Sequence, residues 1–176
     1  RPDTLAEIVG QESFKLDAEN WIGLKDMPNL LLYGTAGVGK TAAAIALSKD
    51  MLGEMFDVNF IELNTSDDRK LETVRTKIKD FVSQNKIGDV PFRIILLDEV
   101  DGMTSDAQNA LKRIIERYER NARFILTAND QSRIIYPLQS RCANYFFGTL
   151  KNDVIFSLVE KVLRRDAYVC QGCFSN

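Results

Sequence analysis

Eight consecutive residues, Gly34-Thr35-Ala36-Gly37-Val38-Gly39-Lys40-Thr41, match the spacing Gly-x-x-x-x-Gly-Lys-Ser/Thr in full. The chemistry that calls for this pattern is the binding of a nucleoside triphosphate. Glycines let backbone N–H groups crowd round phosphate oxygens at the positive end of a helix dipole. Lys40 then reaches the β and γ phosphates as a point charge, and Thr41 offers its hydroxyl to Mg²⁺. A second constellation lies at Ile94-Ile95-Leu96-Leu97-Asp98-Glu99, an aliphatic run that ends in two carboxylates. Asp98 has the place of a residue that orders hydrated Mg²⁺, and Glu99 that of a base that orients or deprotonates an attacking water. Hydrolysis of ATP, rather than binding alone, is the expectation.

These side chains need a scaffold that brings two distant segments together. Strand-length apolar runs alternate with helical patterns along the chain, which predicts an α/β fold with a parallel sheet. Strands are expected at Asn29 to Tyr33, Val58 to Leu63, Arg93 to Leu97, Phe124 to Thr127 and Asn144 to Phe147. Helices are expected at Lys40 to Leu52, Ser66 to Val82 and Ser105 to Tyr118, the last with a capping box made by Ser105 and Gln108. In open α/β sheets ligands sit outside the carboxyl ends of the strands, so Asp98 is expected near Thr41.

Composition removes much other chemistry. The 176 residues contain no histidine, which excludes Ser-His-Asp and Cys-His nucleophile systems, imidazole bases and His metal ligands. Three cysteines, Cys142, Cys170 and Cys173, are too few and too C-terminal to staple a fold, so an intracellular, reducing setting is expected. Cys170 and Cys173 have the spacing of a metal half-site without a second pair to complete it, and no metal is expected there. No run of about 18 apolar residues offers a membrane span. A net charge of -2 gives no bulk attraction to nucleic acid, so any such contact must come from a local basic stripe.

Two further residues are ambiguous alone. Asn129 ends the run Thr127-Ala128-Asn129, where it could bond a γ-phosphate or simply form a turn; Arg141, in Ser140-Arg141-Cys142, could be a catalytic guanidinium or a solvated surface charge. Taken with Ile8-Val9-Gly10-Gln11, Met27-Pro28-Asn29-Leu30-Leu31, Glu62-Leu63-Asn64-Thr65-Ser66-Asp67-Asp68, Leu97-Asp98-Glu99-Val100-Asp101-Gly102-Met103 and Pro137-Leu138-Gln139, they make residues 1–150 resemble the AAA+ module of clamp-loader small subunits of the replication factor C type. The resemblance implies an AAA+ P-loop core with an open five-stranded parallel sheet, helices on both faces and the start of a helical lid. It implies that Val9 lines an adenine pocket, that Asn129 is sensor 1, and that Asn64 restrains the catalytic glutamate until DNA binds. Arg141 would be an arginine finger entering a neighbouring subunit's site, an effect worth a factor of about 10³ to 10⁵ in rate.

Implied partners are other loader subunits, in a pentamer, together with a sliding clamp and primer-template DNA, with no membrane. The phosphate-tracking residues would be Arg69, Lys70, Arg75, Lys77 and Lys79 on one helix and Lys112, Arg113 and Arg117 on the next. The clamp contact would lie near the helix that starts at Ser105. The expected location is cytoplasmic in an archaeon and nuclear in a eukaryote. The sequence departs from the family at Thr35-Ala36, where two prolines are usual, and at Val100, where a smaller residue is usual. Residues 1–148 are expected to form the ATPase core and 149–176 a partial lid or divergent tail, truncated before the sensor 2 arginine and the collar, so that the chain alone should hydrolyse ATP poorly. Two other readings fit the same residues: another AAA+ DNA-remodelling ATPase, or a non-catalytic nucleotide-binding scaffold that donates Arg141.

Overall fold

A computed structural model of the chain describes residues 4–65, 71–84 and 88–149. Five strands, β1 (Leu30–Tyr33), β2 (Phe60–Asn64), β3 (Arg93–Asp98), β4 (Ala122–Ala128) and β5 (Ala143–Phe146), form one sheet in the order β2-β3-β4-β1-β5. Every neighbouring pair is parallel. The helices are α1 (Glu12–Leu24), α2 (Lys40–Leu52), α3 (Phe56–Asn59), α4 (Leu71–Ser83), α5 (Ser105–Tyr118) and α6 (Tyr136–Gln139). The expected α/β fold, with five parallel strands and helices on both faces, is what the chain adopts.

The strand sequences explain the layering. Side chains alternate across a strand, so a continuous aliphatic run must be covered twice. Leu31, Ile95, Leu97 and Leu126 pack with Val74 and Ile78 of α4, Leu111, Ile114 and Ile115 of α5, and Leu138 of α6. Leu30, Leu32, Ile94, Leu96 and Ile125 face the other way, onto Phe14 and Ala18 of α1 and Ala43, Ala44 and Leu47 of α2.

β1 lies between β4 and β5: the chain leaves it for β2 at one edge of the sheet, returns through β3 and β4, and passes it on the way from β4 to β5 at the other edge. A crevice opens at such a switch point, outside the carboxyl ends of the strands. The backbone closes round it: Gly34 N–H donates to Ala128 O at 3.2 Å, and Phe147 N–H to Tyr33 O at 2.7 Å.

Several local details differ from expectation. The second strand starts at Phe60 rather than Val58, because residues 56–59 make a helical turn closed by Asn59 Nδ2 donating to Met55 O at 3.1 Å. The last strand is shifted back by one residue, to 143–146, and the fourth extends to Ala122–Ala128. α5 is capped by Thr104, whose Oγ1 accepts from Ala107 N–H at 3.3 Å, and not by a Ser105–Gln108 box. Gln108 is buried and spends its amide elsewhere, donating to Met103 O and Arg133 O and accepting from Ile135 N–H at 3.2, 2.9 and 2.8 Å. α1 has no counterpart among the sequence-derived elements. Its buried stripe is only Phe14 and Ala18, while Leu16 and Leu24 face water, so its apolar period is blurred. The expected start of the second long helix, Ser66 to Lys70, lies outside the described residues, as do the lid segment and Cys170 and Cys173.

Candidate functional site

The loop Gly34–Gly39 joins β1 to α2. Gly34, Gly37 and Gly39 all have positive φ, at 146°, 81° and 92°, conformations that a residue with a Cβ rarely adopts. A Cβ on Gly34 would meet Phe147 O at 2.1 Å, so this glycine is required by the β1–β5 contact. A Cβ on Gly37 or Gly39 would meet nothing within 4 Å: these two border open space. Gly39 gives α2 no side-chain cap, which suits the first-turn N–H groups to an anionic ligand. Thr35, Ala36 and Gly37 are exposed and Val38 is half-buried against the α1–α2 side of the core.

Lys40 is the first residue of α2 and is buried. Its Nζ donates to Gly34 O at 2.7 Å, Thr35 O at 2.9 Å and Asn129 Oδ1 at 3.0 Å. Three acceptors satisfy the three donors of an ammonium. Burial nonetheless holds the Lys40 pKa below its ordinary value, and the charges of Asp98, Asp101 and Glu99 offset part of that. The structure therefore brings Asn129, from the end of β4, onto the loop lysine.

Asp98 closes β3. Its Oδ1 accepts from Thr41 Oγ1 at 3.0 Å and from Thr127 Oγ1. Two oxygen donors so arranged, a hydroxyl and a carboxylate, fit the hard-oxygen preference of Mg²⁺. Glu99 follows in the left-handed region, at φ 59° and ψ 44°. Its N–H donates to Thr127 Oγ1 at 3.1 Å, and its carbonyl accepts from Thr65 Oγ1 at 2.9 Å. Asp101, buried just beyond, accepts from Asp130 N–H through Oδ2 at 3.3 Å, while no donor among the described residues reaches its Oδ1. Sequence reasoning assigned nothing to Thr65, Thr127 or Asp101. A hydroxyl at the last positions of the strands flanking an acidic strand end is the signal that would have found the two threonines.

The remaining candidates sit apart. Val9 is half-buried on the segment that leads to Gln11, whose Nε2 donates to Gly148 O at 3.3 Å. Arg141 precedes β5, and Ala143 pairs with Leu30 at the start of β1, whereas the phosphate loop leaves the end of β1. Four strand residues rise about 13 Å, so Arg141 lies at the opposite end of the strands from Lys40. Its guanidinium pairs with Glu116 of α5 at 2.6 Å. Arg75, Lys79, Arg113 and Arg117, with Glu72 and Tyr118, line a groove between α4 and α5. Beside Arg141, burial pushes the Cys142 thiol up to about 12.

An open parallel sheet of this order, with a glycine loop between β1 and α2 and a carboxylate pair closing β3, defines the P-loop nucleoside-triphosphatase fold. Residues 30–150 match the ATPase family associated with various cellular activities, and the chain belongs to that family. It is 47% identical over 166 residues to the replication factor C small subunit of Methanococcus maripaludis, covering 94% of this chain and 53% of that protein. The replication factor C small subunit of Methanothermobacter thermautotrophicus is 49% identical over 166 residues, 94% of this chain and 51% of its own length. The chain thus spans about half the length of the curated relatives it matches. In fold it is similar to the Holliday junction branch migration motor RuvB of Thermotoga maritima, with a TM-score of 0.69 at 18% identity over 91% of this chain and 52% of that one. Among the described residues no helix is long and apolar enough to cross a membrane.

Proposed function

We propose that the chain is the ATPase core of a clamp-loader small subunit, in which ATP binding and hydrolysis drive the opening of a ring-shaped clamp and its release on primer-template DNA. The observation that carries this reading is the convergence of Lys40, Thr41, Asp98 and Asn129 on one crevice, with Glu99 next to Asp98, while Arg141 stands at the opposite end of the strands. The names of the relatives at 47–49% identity support the choice among AAA machines. In this reading residues 1–148 are the core and 149–176 begin a lid.

Within the site the loop N–H groups and Lys40 hold the triphosphate, and Asn129 fixes the lysine. Val9 and its neighbours hold the adenine. Thr41 and Asp98 would hold Mg²⁺, which when bound neutralises charge on the phosphate oxygens. Glu99 orients a water and takes its proton as the oxygen bonds the γ-phosphorus, while the bond from that phosphorus to the β–γ bridging oxygen breaks and ADP leaves. Arg141 serves a neighbouring subunit, because the sheet separates it from its own Lys40. Arg75, Lys79, Arg113 and Arg117 follow DNA phosphates by charge. Other loader subunits and the sliding clamp complete the assembly, inside the cell.

ATP turnover with primed DNA and sliding clamp, for wild type, Glu99→Gln and Arg141→Ala, tests the reading. Stimulation by DNA and clamp that both substitutions abolish is the expected result. Turnover indifferent to both additions would sink the loader assignment, and turnover that survives Glu99→Gln would favour a scaffold subunit.

A further inference from the structure

We propose that Thr127 is a positioning residue for hydrolysis: with Thr65, it clasps the Asp98–Glu99 peptide and so aims the Glu99 carboxylate. The proposal rests on the reading of Glu99 as the base for ATP hydrolysis. β3 lies between β2 and β4, and each flanking strand sends one threonine to its end. The carbonyl of Asp98 accepts from Thr65 N–H at 3.1 Å and from Thr65 Oγ1 at 2.9 Å. On the other side, the N–H of the same peptide donates to Thr127 Oγ1 at 3.1 Å. One peptide plane is thus held from both sides.

The next peptide is held as well. Glu99 O accepts from Gly102 N–H at 3.0 Å and shares with Asp98 O the single hydroxyl proton of Thr65, whose Oγ1 is 2.9 Å from each. With both flanking peptides fixed, the Cα–Cβ direction of Glu99 is set before any rotamer is chosen. That backbone is left-handed, a region sparsely populated by residues with a Cβ, and it persists only where the surroundings over-determine it. Thr127 Oγ1 also donates to Asp98 Oδ1, the oxygen that Thr41 Oγ1 reaches at 3.0 Å. A single hydroxyl therefore ties the carboxylate beside Thr41 to the backbone of the base.

A purely structural role predicts something else. Thr127 is 1% exposed on an interior strand, where valine keeps nearly the same shape and strand propensity but deprives the Glu99 N–H of its acceptor. The hydroxyl is the part that the strand does not require. Misplacing a reacting group by about 1 Å costs roughly a hundredfold in rate, and loss of an outer-shell orienting contact costs roughly tenfold to a hundredfold.

The test compares Thr127→Val, Thr127→Ser and Glu99→Gln in the assembled ATPase, read by kcat, by ATP Kd and by hydrogen exchange of the Glu99 amide. Expected for Thr127→Val are a kcat lower by about tenfold to a hundredfold, a Kd within about threefold of wild type, and faster Glu99 amide exchange. Thr127→Ser should restore all three. The proposal is overturned by an unchanged kcat in Thr127→Val, by a Kd that weakens as much as kcat falls, or by serine behaving like valine. Wild type no more active than Glu99→Gln would mean that the hydrolysis reading has failed. Amide exchange then decides the clasp alone: faster in valine and normal in serine keeps it, and equal rates in all variants remove it.

Discussion

Arg141 Nη2 lies 2.6 Å from Glu116 Oε1, and the same carboxylate oxygen is 3.6 Å from Lys112 Nζ on the preceding turn of α5. Glu116, on α5, thus ties the proposed finger to the helix proposed to follow DNA. Both members of the Arg141–Glu116 pair are more than a third exposed. Such a pair contributes under about 1 kcal/mol to stability. Glu116→Gln should therefore leave Tm nearly unchanged, and any change in turnover would report on the orientation of Arg141. Arg141→Ala should lower turnover by a factor of about 10³ or more at unchanged ATP affinity. Mixing Arg141→Ala with Glu99→Gln chains should recover activity if the finger acts across a subunit boundary. No recovery in co-assembled mixtures would count against action in trans.

Lys40 and Glu99 should separate binding from chemistry. Lys40→Met removes a charge-assisted donor and should weaken ATP by about tenfold to a hundredfold, since such bonds are worth about 1.5–3 kcal/mol. Glu99→Gln should bind ATP as wild type does and hydrolyse almost none. Equilibrium titration with a fluorescent ATP analogue beside single-turnover hydrolysis checks both.

The lowered pKa of Lys40 makes a directional prediction. In the free chain burial penalises the ammonium, so that penalty is relieved, and stability gained, as pH rises from the folded pKa towards the ordinary value of 10.5. A bound triphosphate brings negative charge and raises the pKa again. ATP binding should therefore take up protons through this group in the pH range between the lowered and the ordinary lysine value, and the uptake should fade as pH drops and the ammonium is already formed in the free chain. Calorimetry in buffers of different ionisation enthalpy would reveal it, and Lys40→Met should abolish the difference.

Two glycines of the loop should fail in different ways. Gly34→Ala drives a Cβ into Phe147 O in a fixed β1–β5 contact, and a loss of about 3 kcal/mol or more, or roughly 10 °C in Tm, is expected. Gly37→Ala meets no atom and bears only the φ strain, about 1–2 kcal/mol, but its methyl enters the space proposed for phosphate. Thermal melts should rank Gly34→Ala far worse, whereas ATP affinity should fall in Gly37→Ala even in well-folded protein.

The α4–α5 groove carries the DNA prediction. Arg113→Ala with Arg117→Ala should weaken primer-template binding similarly across sequences. It should also reduce the slope of log K against log salt by about 0.9 per lost phosphate contact. An unchanged slope would move the DNA surface elsewhere.

What could be read from the chain beforehand follows from distance along it. The loop glycines, Lys40 and Thr41 lie within one eight-residue stretch, and Asp98 and Glu99 end an aliphatic run whose double-sided burial is local information, so the β1–α2 loop and the end of β3 could be located from the sequence. Asn129 could be read only with the family in view, since a strand-ending Asn alone is a turn former. Thr65, Thr127 and Asp101 act on residues 28 to 34 positions away or across a neighbouring loop, through pairings that exist only once β2, β3 and β4 are side by side. α1 stayed hidden because two of its leucines face water, and the cap of α5 was misplaced by one residue because serine and threonine are adjacent there.

The opposite placement of the phosphate loop and Arg141, at the two ends of β1 and β5, also constrains symmetry. Two copies related by a two-fold axis meet through the same patch on each, so they could exchange arginines only if one patch held both Arg141 and the phosphate loop, which their placement at opposite ends prevents. An edge that lends a guanidinium and an edge that receives one make a directional, head-to-tail joint instead. Repeated joints of that kind must either close into a ring or leave an arc, and in an arc the number of completed sites is one fewer than the number of subunits. With Arg141 in its proposed role, the last subunit of such an arc would hold nucleotide with no neighbour to trigger it, and the first would lend its arginine to no one.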